Sequence, residues 1–157
     1  MALHVVLYQP EIPANTGNIA RTCAATGTIL HLIRPLGFST DNKTLKRAGL
    51  DYWEFVTINF HDSLAEFFNE TDGGEYFYVT KHGSKPHSTF DYSQPEKDYY
   101  FIFGKETTGL PMELLEANSE HCLRIPMNEN ARSLNLSNAG AILIYEALRQ
   151  QNYLRLR

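Results

Sequence analysis

The sequence predicts an α/β fold in which a mostly parallel sheet carries helices on both faces, and three observations lead there. Short β-branched or aromatic runs alternate with segments of helical period, the pattern of strands joined by crossover helices. A length of 157 residues suits one well-packed domain, so a single domain over 1–157 is expected. With 43% hydrophobic and 20% charged residues and no low-complexity stretch, the composition is that of a globular protein.

The elements follow in order. HVVLY, from His4 to Tyr8, opens as a strand. Asn15 begins a helix in NTGNIARTCAATG, where Ile19 and Cys23 lie one turn apart and Gly27 is placed to end it. ILHLI is the second strand. DNKTLKRAG, from Asp41 to Gly49, reads as a short capped helix, followed by a strand in WEFVTI and a helix in HDSLAEFFNE. YFYVT and YYFIF are two further strands, and the segment between them, KHGSKPHSTFDYSQPEKD, is punctuated by Gly, Pro and Ser as an irregular surface loop is. GLPMELLEAN carries proline at an early helical position, where its missing N–H costs little. CLRIPM returns to the sheet, and a long helix from about Asn135 to Gln150 closes the fold.

Several function classes drop out on composition. The longest apolar run, AILI, is far shorter than a membrane span, and MALHVVLYQPE lacks the basic start and cleavage site of a signal peptide, so no membrane partner and a cytoplasmic address are expected. Cys23 and Cys122 fall in different elements without CxxC spacing and read as buried free thiols. The six histidines form no HExxH or His-x-His pair, so no metal is expected. A net charge of −4 argues against a broad basic surface while leaving room for a local patch.

Open parallel sheets bind ligands outside the carboxyl ends of their strands, which directs attention to the residues following each strand. After YYFIF comes GKETTGL. Its glycines Gly104 and Gly109 resemble a phosphate loop, but Leu110 and Pro111 stand where Lys and Ser or Thr would be needed to reach phosphate and magnesium. A dinucleotide site would require its glycines after the first strand, where QPEIPANTGN stands instead. What remains is a tight turn in which Gly104 lets a ligand approach the backbone, with Glu106 at the start of the next helix. KHG follows YFYVT, and MNENARSLNLSNAG follows CLRIP, with more amides and hydroxyls than one helix cap needs. Glycine, backbone amides and small polar groups at three strand ends suit a compact ligand with an adenine edge and hydroxyls, and offer no basic cluster for a polyphosphate. Upstream, Asn15, Asn18 and Arg21 recur every three residues on one helix face, and Lys43, Lys46 and Arg47 form a second cationic stripe, both suited to phosphate or ribose. Taken singly, each of these features reads equally well as a turn, a cap or a solvated face.

Together, NTGNIAR, FGKETTGL and IPMNENARSLNLSNA resemble, in that order, the three motifs of the SPOUT-class (TrmH-like) RNA 2′-O-ribose methyltransferases. The resemblance runs from LYQPEIPANTGNIARTCAATG through RAGLDYWEF to the final helix, and with no added RNA-binding domain it is closest to the minimal TrmL (YibK) group. It implies a deep C-terminal trefoil knot holding the cofactor site in roughly residues 76–150, and a homodimer. It also implies transfer of a methyl group from S-adenosyl-L-methionine to the ribose 2′-hydroxyl of the wobble nucleotide, cytidine or modified uridine at position 34, of leucine tRNAs, with the anticodon stem-loop as partner.

Carried over residue by residue, the resemblance places the cofactor on Val79, Thr80 and Lys81, on Gly104 beside Glu106, and on Leu123, Ile125, Met127, Ser133, Leu134 and Asn135. It places Arg21, held by Asn15, together with Glu106, Ser133, Asn135 and Tyr145 at the chemistry, and Arg21, Lys43, Lys46 and Arg47 on the RNA. A ribose hydroxyl is a poor nucleophile until its proton is leaving, so alignment and proton removal dominate such a barrier. A guanidinium stays protonated, which suits Arg21 to stabilising an alkoxide or gripping the adjacent phosphate rather than acting as a simple base. A 2′-O-methyltransferase of another tRNA or rRNA position, an RNA-binding module without catalysis and a small nucleotide-binding enzyme using GKETTG are the alternatives, the last two separated by methyl transfer to RNA and by ATP against S-adenosylhomocysteine binding.

Overall fold

Val5 and Val6 are fully buried and Leu7 retains 1% exposure, a run that a strand sustains only when both faces of its sheet are covered. The computed structural model, which describes residues 2–41, 43–49 and 52–157, shows how they are covered. Chain order is β1 (Leu3–Tyr8), α1 (Pro13–Thr26), β2 (Ile29–Ile33), α2 (Lys43–Gly49), β3 (Ile58–His61), α3 (Leu64–Glu70), β4 (Glu75–Val79), β5 (Lys85–Pro86), β6 (Tyr99–Phe103), α4 (Met112–Ala117), β7 (Cys122–Arg124) and α5 (Leu136–Gln150). The strands form one sheet in the order β3-β2-β1-β6-β4-β7-β5, every neighbouring pair parallel. This is the predicted α/β architecture.

Alternation along the strands divides the core in two. Leu3, Val5, Leu7, Leu30, Leu32 and Phe101 pack with Ile19 and Cys23 of α1 and with Leu143 and Ile144 of α5. Val6, Ile33, Tyr100 and Ile102 point the other way, onto Phe67 of α3 and Leu115 of α4. Helices thus lie on both faces. After β4 the chain reaches β6 on one side of it and then β7 on the other, so the carboxyl ends of β4, β6 and β7 come side by side.

Local boundaries differ from expectation in instructive ways. α1 starts at Pro13 with Ile12 as the cap residue, rather than at Asn15, because proline is pre-set for the first turn. Gly27 does end the helix, at φ 73 in the left-handed region. The strand expected in WEFVTI is instead a 3-10 turn over Trp53–Phe55, with pairing to β2 starting only at Ile58; Phe55 is 74% exposed and pairs with no strand among the described residues. Part of the segment expected to cap α2 falls outside the described residues. Pro111 is the cap residue of α4 rather than a helical one. The segment following β4 is mostly irregular, yet Lys85 and Pro86 pair with β7. Tyr92 is fully buried there: Gln150 accepts its N–H at 2.7 Å and Gln151 donates to its carbonyl at 2.8 Å, so the end of α5 pins this loop.

One buried polar feature crosses the sheet. Nδ1 of His4 lies 2.9 Å from Nε2 of His31, and Nδ1 of His31 lies 2.9 Å from Nε2 of His61. Asp98 meets His4 at 3.1 Å at one end of this chain of rings. At the other, Glu70 approaches Nδ1 of His61 at 2.8 Å without an aligned hydrogen bond. Burial and the neighbouring rings push His31 down to about 3. Among the described residues no group of His, Cys, Asp and Glu is arranged to hold a metal ion, and no helix is long and apolar enough to cross a membrane.

Candidate cofactor site

Three strand ends and one helix start enclose a cavity of about 480 Å³, within the size range of pockets that hold a nucleoside-sized ligand. β4 delivers Val79, Thr80 and Lys81; the β6–α4 loop delivers residues from Gly104 to Leu110; the segment after β7 delivers Ile125, Met127, Ser133, Leu134 and Asn135; α1 adds Ile12 and Asn15. Thr80 N–H donates to the Leu123 carbonyl at 2.9 Å, tying the end of β4 to β7. A Cβ on Gly83 would lie 2.5 Å from the Leu123 carbonyl carbon, so the two backbones cross where only glycine fits. A Cβ on Gly104 would lie 2.2 Å from the backbone of Gly109, which makes the second loop equally tight.

Asn135 is the hinge between α5 and the rest of the site. Its Oδ1 accepts from the N–H groups of Ser137 and Asn138 as the cap of α5, and its Nδ2 donates to Oδ1 of Asn15 at 3.1 Å. The density of amides in this stretch is thereby partly explained: one side chain caps a helix and ties it to α1. Asn135→Ala is expected to lower stability by about 1–2 kcal/mol in urea denaturation. Asn135→Asp, which keeps the cap and loses the donor to Asn15, is expected to recover most of that loss. Equal destabilisation by both variants would contradict the cap as the main contribution.

Of the residues expected to hold the cofactor, all but Leu123 line the cavity. Leu123 is fully buried, and its carbonyl accepts the Thr80 N–H. Glu106 lines the cavity as well, with both carboxylate oxygens accepting backbone N–H groups, from Glu11 at 2.8 Å and Ile12 at 3.2 Å. Ser133 is exposed at the rim. Two expected residues are elsewhere. Tyr145 sits on α5, 47% exposed and outside the cavity lining. Arg21 is also outside it, with its guanidinium 4.9 Å over the ring of Tyr52.

The expected common face of Asn15, Asn18 and Arg21 does not exist. Residues six apart point about 120° away from each other round an α-helix. Asn15 is accordingly buried against Asn135, while Asn18 and Arg21 face outward, and Tyr52 takes the place expected of Asn15 as the partner of Arg21. Lys43, Lys46 and Arg47 are exposed on α2, with Lys46 3.6 Å from Asp41. Sequence reasoning missed Arg124 and Arg132, which line both this cavity and an adjoining cleft and make no ion pair among the described residues. Arg124 at the end of a strand was the available signal.

An all-parallel α/β sheet with a cavity outside its strand ends, walled by apolar side chains and floored by glycine-tight backbone, defines a domain that encloses a small organic cofactor. The chain belongs to the SpoU rRNA Methylase family, whose model matches residues 2–145. It is 67% identical over 157 residues to a Bacillus subtilis (strain 168) protein whose provisional name is tRNA (cytidine(34)-2′-O)-methyltransferase, covering 100% of this chain and 98% of that protein. It is 47% identical over 152 residues to the tRNA (cytidine(34)-2′-O)-methyltransferase of Escherichia coli (strain K12), covering 96% and 95%. A structure solved to study 2′-OH methylation of C/U34 on tRNA superposes with TM-score 0.89 at 46% identity, over 97% of each chain. The SpoU methyltransferase AviRb of Streptomyces viridochromogenes, solved with AdoMet, matches at TM-score 0.83 and 25% identity over 96% of this chain and 58% of that one.

Proposed function

We propose that the protein is a homodimeric, cytoplasmic enzyme that methylates the ribose 2′-hydroxyl of the wobble nucleotide, cytidine or modified uridine at position 34, of leucine tRNAs, using S-adenosyl-L-methionine. The observation that carries the cofactor is the cavity itself. Its size suits the donor, Val79, Ile125, Met127 and Leu134 offer apolar walls to an adenine, and the tight turn at Gly104 brings backbone amides and carbonyls close to its edge. The donor supplies an activated methyl group. The RNA substrate and its position rest on family membership and on the relatives' activities.

The chain's own residues divide the remaining work. Ser133, Asn135 and Asn15 gather at one side of the cavity and orient the incoming ribose. Glu106 acts through the backbone it holds. Arg21, outside its own chain's cavity, completes the site of a second copy, where a guanidinium stabilises the oxygen losing its proton or grips the neighbouring phosphate. Lys43, Lys46 and Arg47, exposed and repeated by dimer symmetry, reach phosphates of the anticodon stem. The nucleotide, in a single-stranded loop, can be splayed into the site.

The test is methylation of total tRNA and of a leucine tRNA carrying 2′-deoxyribose at position 34, with labelled S-adenosylmethionine. Label is expected in the first and absent from the second. Label in ribosomal RNA alone, or in the deoxy substrate, contradicts the reading. Arg21→Ala is expected to lower kcat by roughly 100-fold or more, the scale of a lost transition-state donor, with S-adenosylhomocysteine affinity within about twofold of wild type. Mixing R21A with N135A protomers is expected to restore activity, because one site of each mixed dimer is then intact. Failure of the mixture contradicts Arg21 acting across the dimer.

A further inference from the structure

The β1–α1 segment and the β6–α4 loop hold each other by exchanged carboxylates. Glu106 accepts from the N–H groups of Glu11 and Ile12, and Oε1 of Glu11 accepts in return from Thr107, from its N–H at 3.0 Å and its Oγ1 at 2.7 Å. Lys105 adds a bond to Oε1 of Gln9 at 3.3 Å. Within the next turn, Asn15 is bonded to Asn135. The start of α1 is therefore fastened to two of the three loops that wall the cavity, through the buried Asn15 and through half-buried or exposed residues before it.

We propose that Glu11 is a positioning residue of the methyl-transfer site: its carboxylate fixes Thr107, and with it the 104–109 loop, in the same clasp that fixes the helix bearing Asn15 and Arg21. This rests on the reading of the cavity as the S-adenosylmethionine site. Two features favour positioning over bulk stability. The Glu11–Thr107 bonds are exposed, and exposed polar contacts contribute little to global folding. What it fixes is the 104–109 loop, across which one backbone bond, from Gly109 N–H to the Lys105 carbonyl, is found among the described residues. The Thr107 bonds hold the Glu11 carboxyl below the usual carboxylate range, so the clasp is closed through neutral pH.

The experiment uses the full chain with Glu11→Ala, Glu11→Gln and Thr107→Val, measuring S-adenosylhomocysteine affinity by calorimetry, kcat and KM with leucine tRNA, and the thermal midpoint. Glu11→Ala is expected to weaken S-adenosylhomocysteine by roughly 10-fold, the scale of lost hydrogen bonds to a charged group, and to lower kcat, with the midpoint within about 2 °C of wild type. Glu11→Gln, whose amide oxygen accepts the same two bonds, is expected to rescue most of the loss. Thr107→Val, which loses one of them, falls between. The double variant E11A/T107V is expected to be no worse than E11A, since both remove one interaction. Unchanged affinity and turnover in E11A, an E11Q variant as impaired as E11A, or a fall in midpoint that parallels the loss of affinity overturns the assignment. A wild-type chain that binds S-adenosylhomocysteine but methylates no RNA overturns the proposed function and leaves the clasp to be judged on affinity. A wild-type chain that binds none overturns both.

Discussion

Replacing Gly104 with alanine is expected to abolish measurable S-adenosylhomocysteine binding while leaving the sheet folded. The added Cβ would stand 2.2 Å from the carbonyl carbon of Gly109, 2.3 Å from the nitrogen of Leu110 and 2.4 Å from Cα of Gly109. All three are backbone atoms, so no side chain can swing away, and the loop that walls the cavity must move. Overpacking of this kind costs about 1–3 kcal/mol, and here the distortion falls on the ligand's own contact surface. Gly109 provides the contrast. Its Cβ would meet nothing within 4 Å, but its φ of +72 lies in the left-handed region, so alanine there costs about 1–2 kcal/mol of backbone strain without a clash. The expected order of S-adenosylhomocysteine affinity is wild type, then G109A, then G104A, with at least about 100-fold between the first and last, equivalent to roughly 2.7 kcal/mol. Wild-type affinity in G104A, or the reverse order, contradicts the close crossing as the floor of the site.

The second large effect is loss of stability on mild acidification. His4, His31 and His61 make two ring-to-ring contacts and one contact to Asp98. Each takes one hydrogen, so three neutral imidazoles fill these contacts and leave Nδ1 of His61 facing Glu70 at 2.8 Å without one. A charge on His31 would be desolvated in the core beside two other rings, which is what pushes it down to about 3; burial lowers His4 as well. The sign follows from linkage. A histidine depressed in the folded state binds more protons when unfolded, so its contribution is complete above the ordinary histidine range and is lost as pH falls below it. For His31 alone, the loss between pH 6.5 and pH 5 is about 2 kcal/mol, in a window above ordinary carboxylate titration. Urea midpoints at pH 7, 6 and 5 measure it, and His31→Gln, which bridges without titrating, is expected to flatten the dependence. A midpoint constant from pH 7 to 5, or an unaltered slope in H31Q, contradicts it.

HVVLY, ILHLI and YYFIF were legible as strands through near-continuous apolar runs, the mark of strands covered on both faces. YFYVT and CLRIPM were read as strands too, through their aromatic and β-branched composition and their place between helices, although β4 and β7 are only partly buried. WEFVTI misled because aromatic and β-branched residues also line a half-exposed turn, and a neighbouring strand, not composition, decides between the two. The cavity's location was readable because ligand sites in such sheets fall at strand ends. Asn135 was readable because its cap role is local. The partner of Arg21 was not, since the Tyr52 contact lies across a fold that spacing alone does not give. Nor was the Glu11–Thr107 contact, whose members stand 96 residues apart in the chain.

That separation recurs at the middle of the sheet, where Leu3 pairs with Tyr99 and Leu7 with Phe103. During synthesis, β1 therefore has one bare edge until the polypeptide beyond Phe103 has cleared the ribosome, and the nascent N-terminal half carries an apolar strand open to chance pairing. A translational pause before Tyr99 prolongs that exposure to chaperones and proteases, whereas one placed after β6 is free does not.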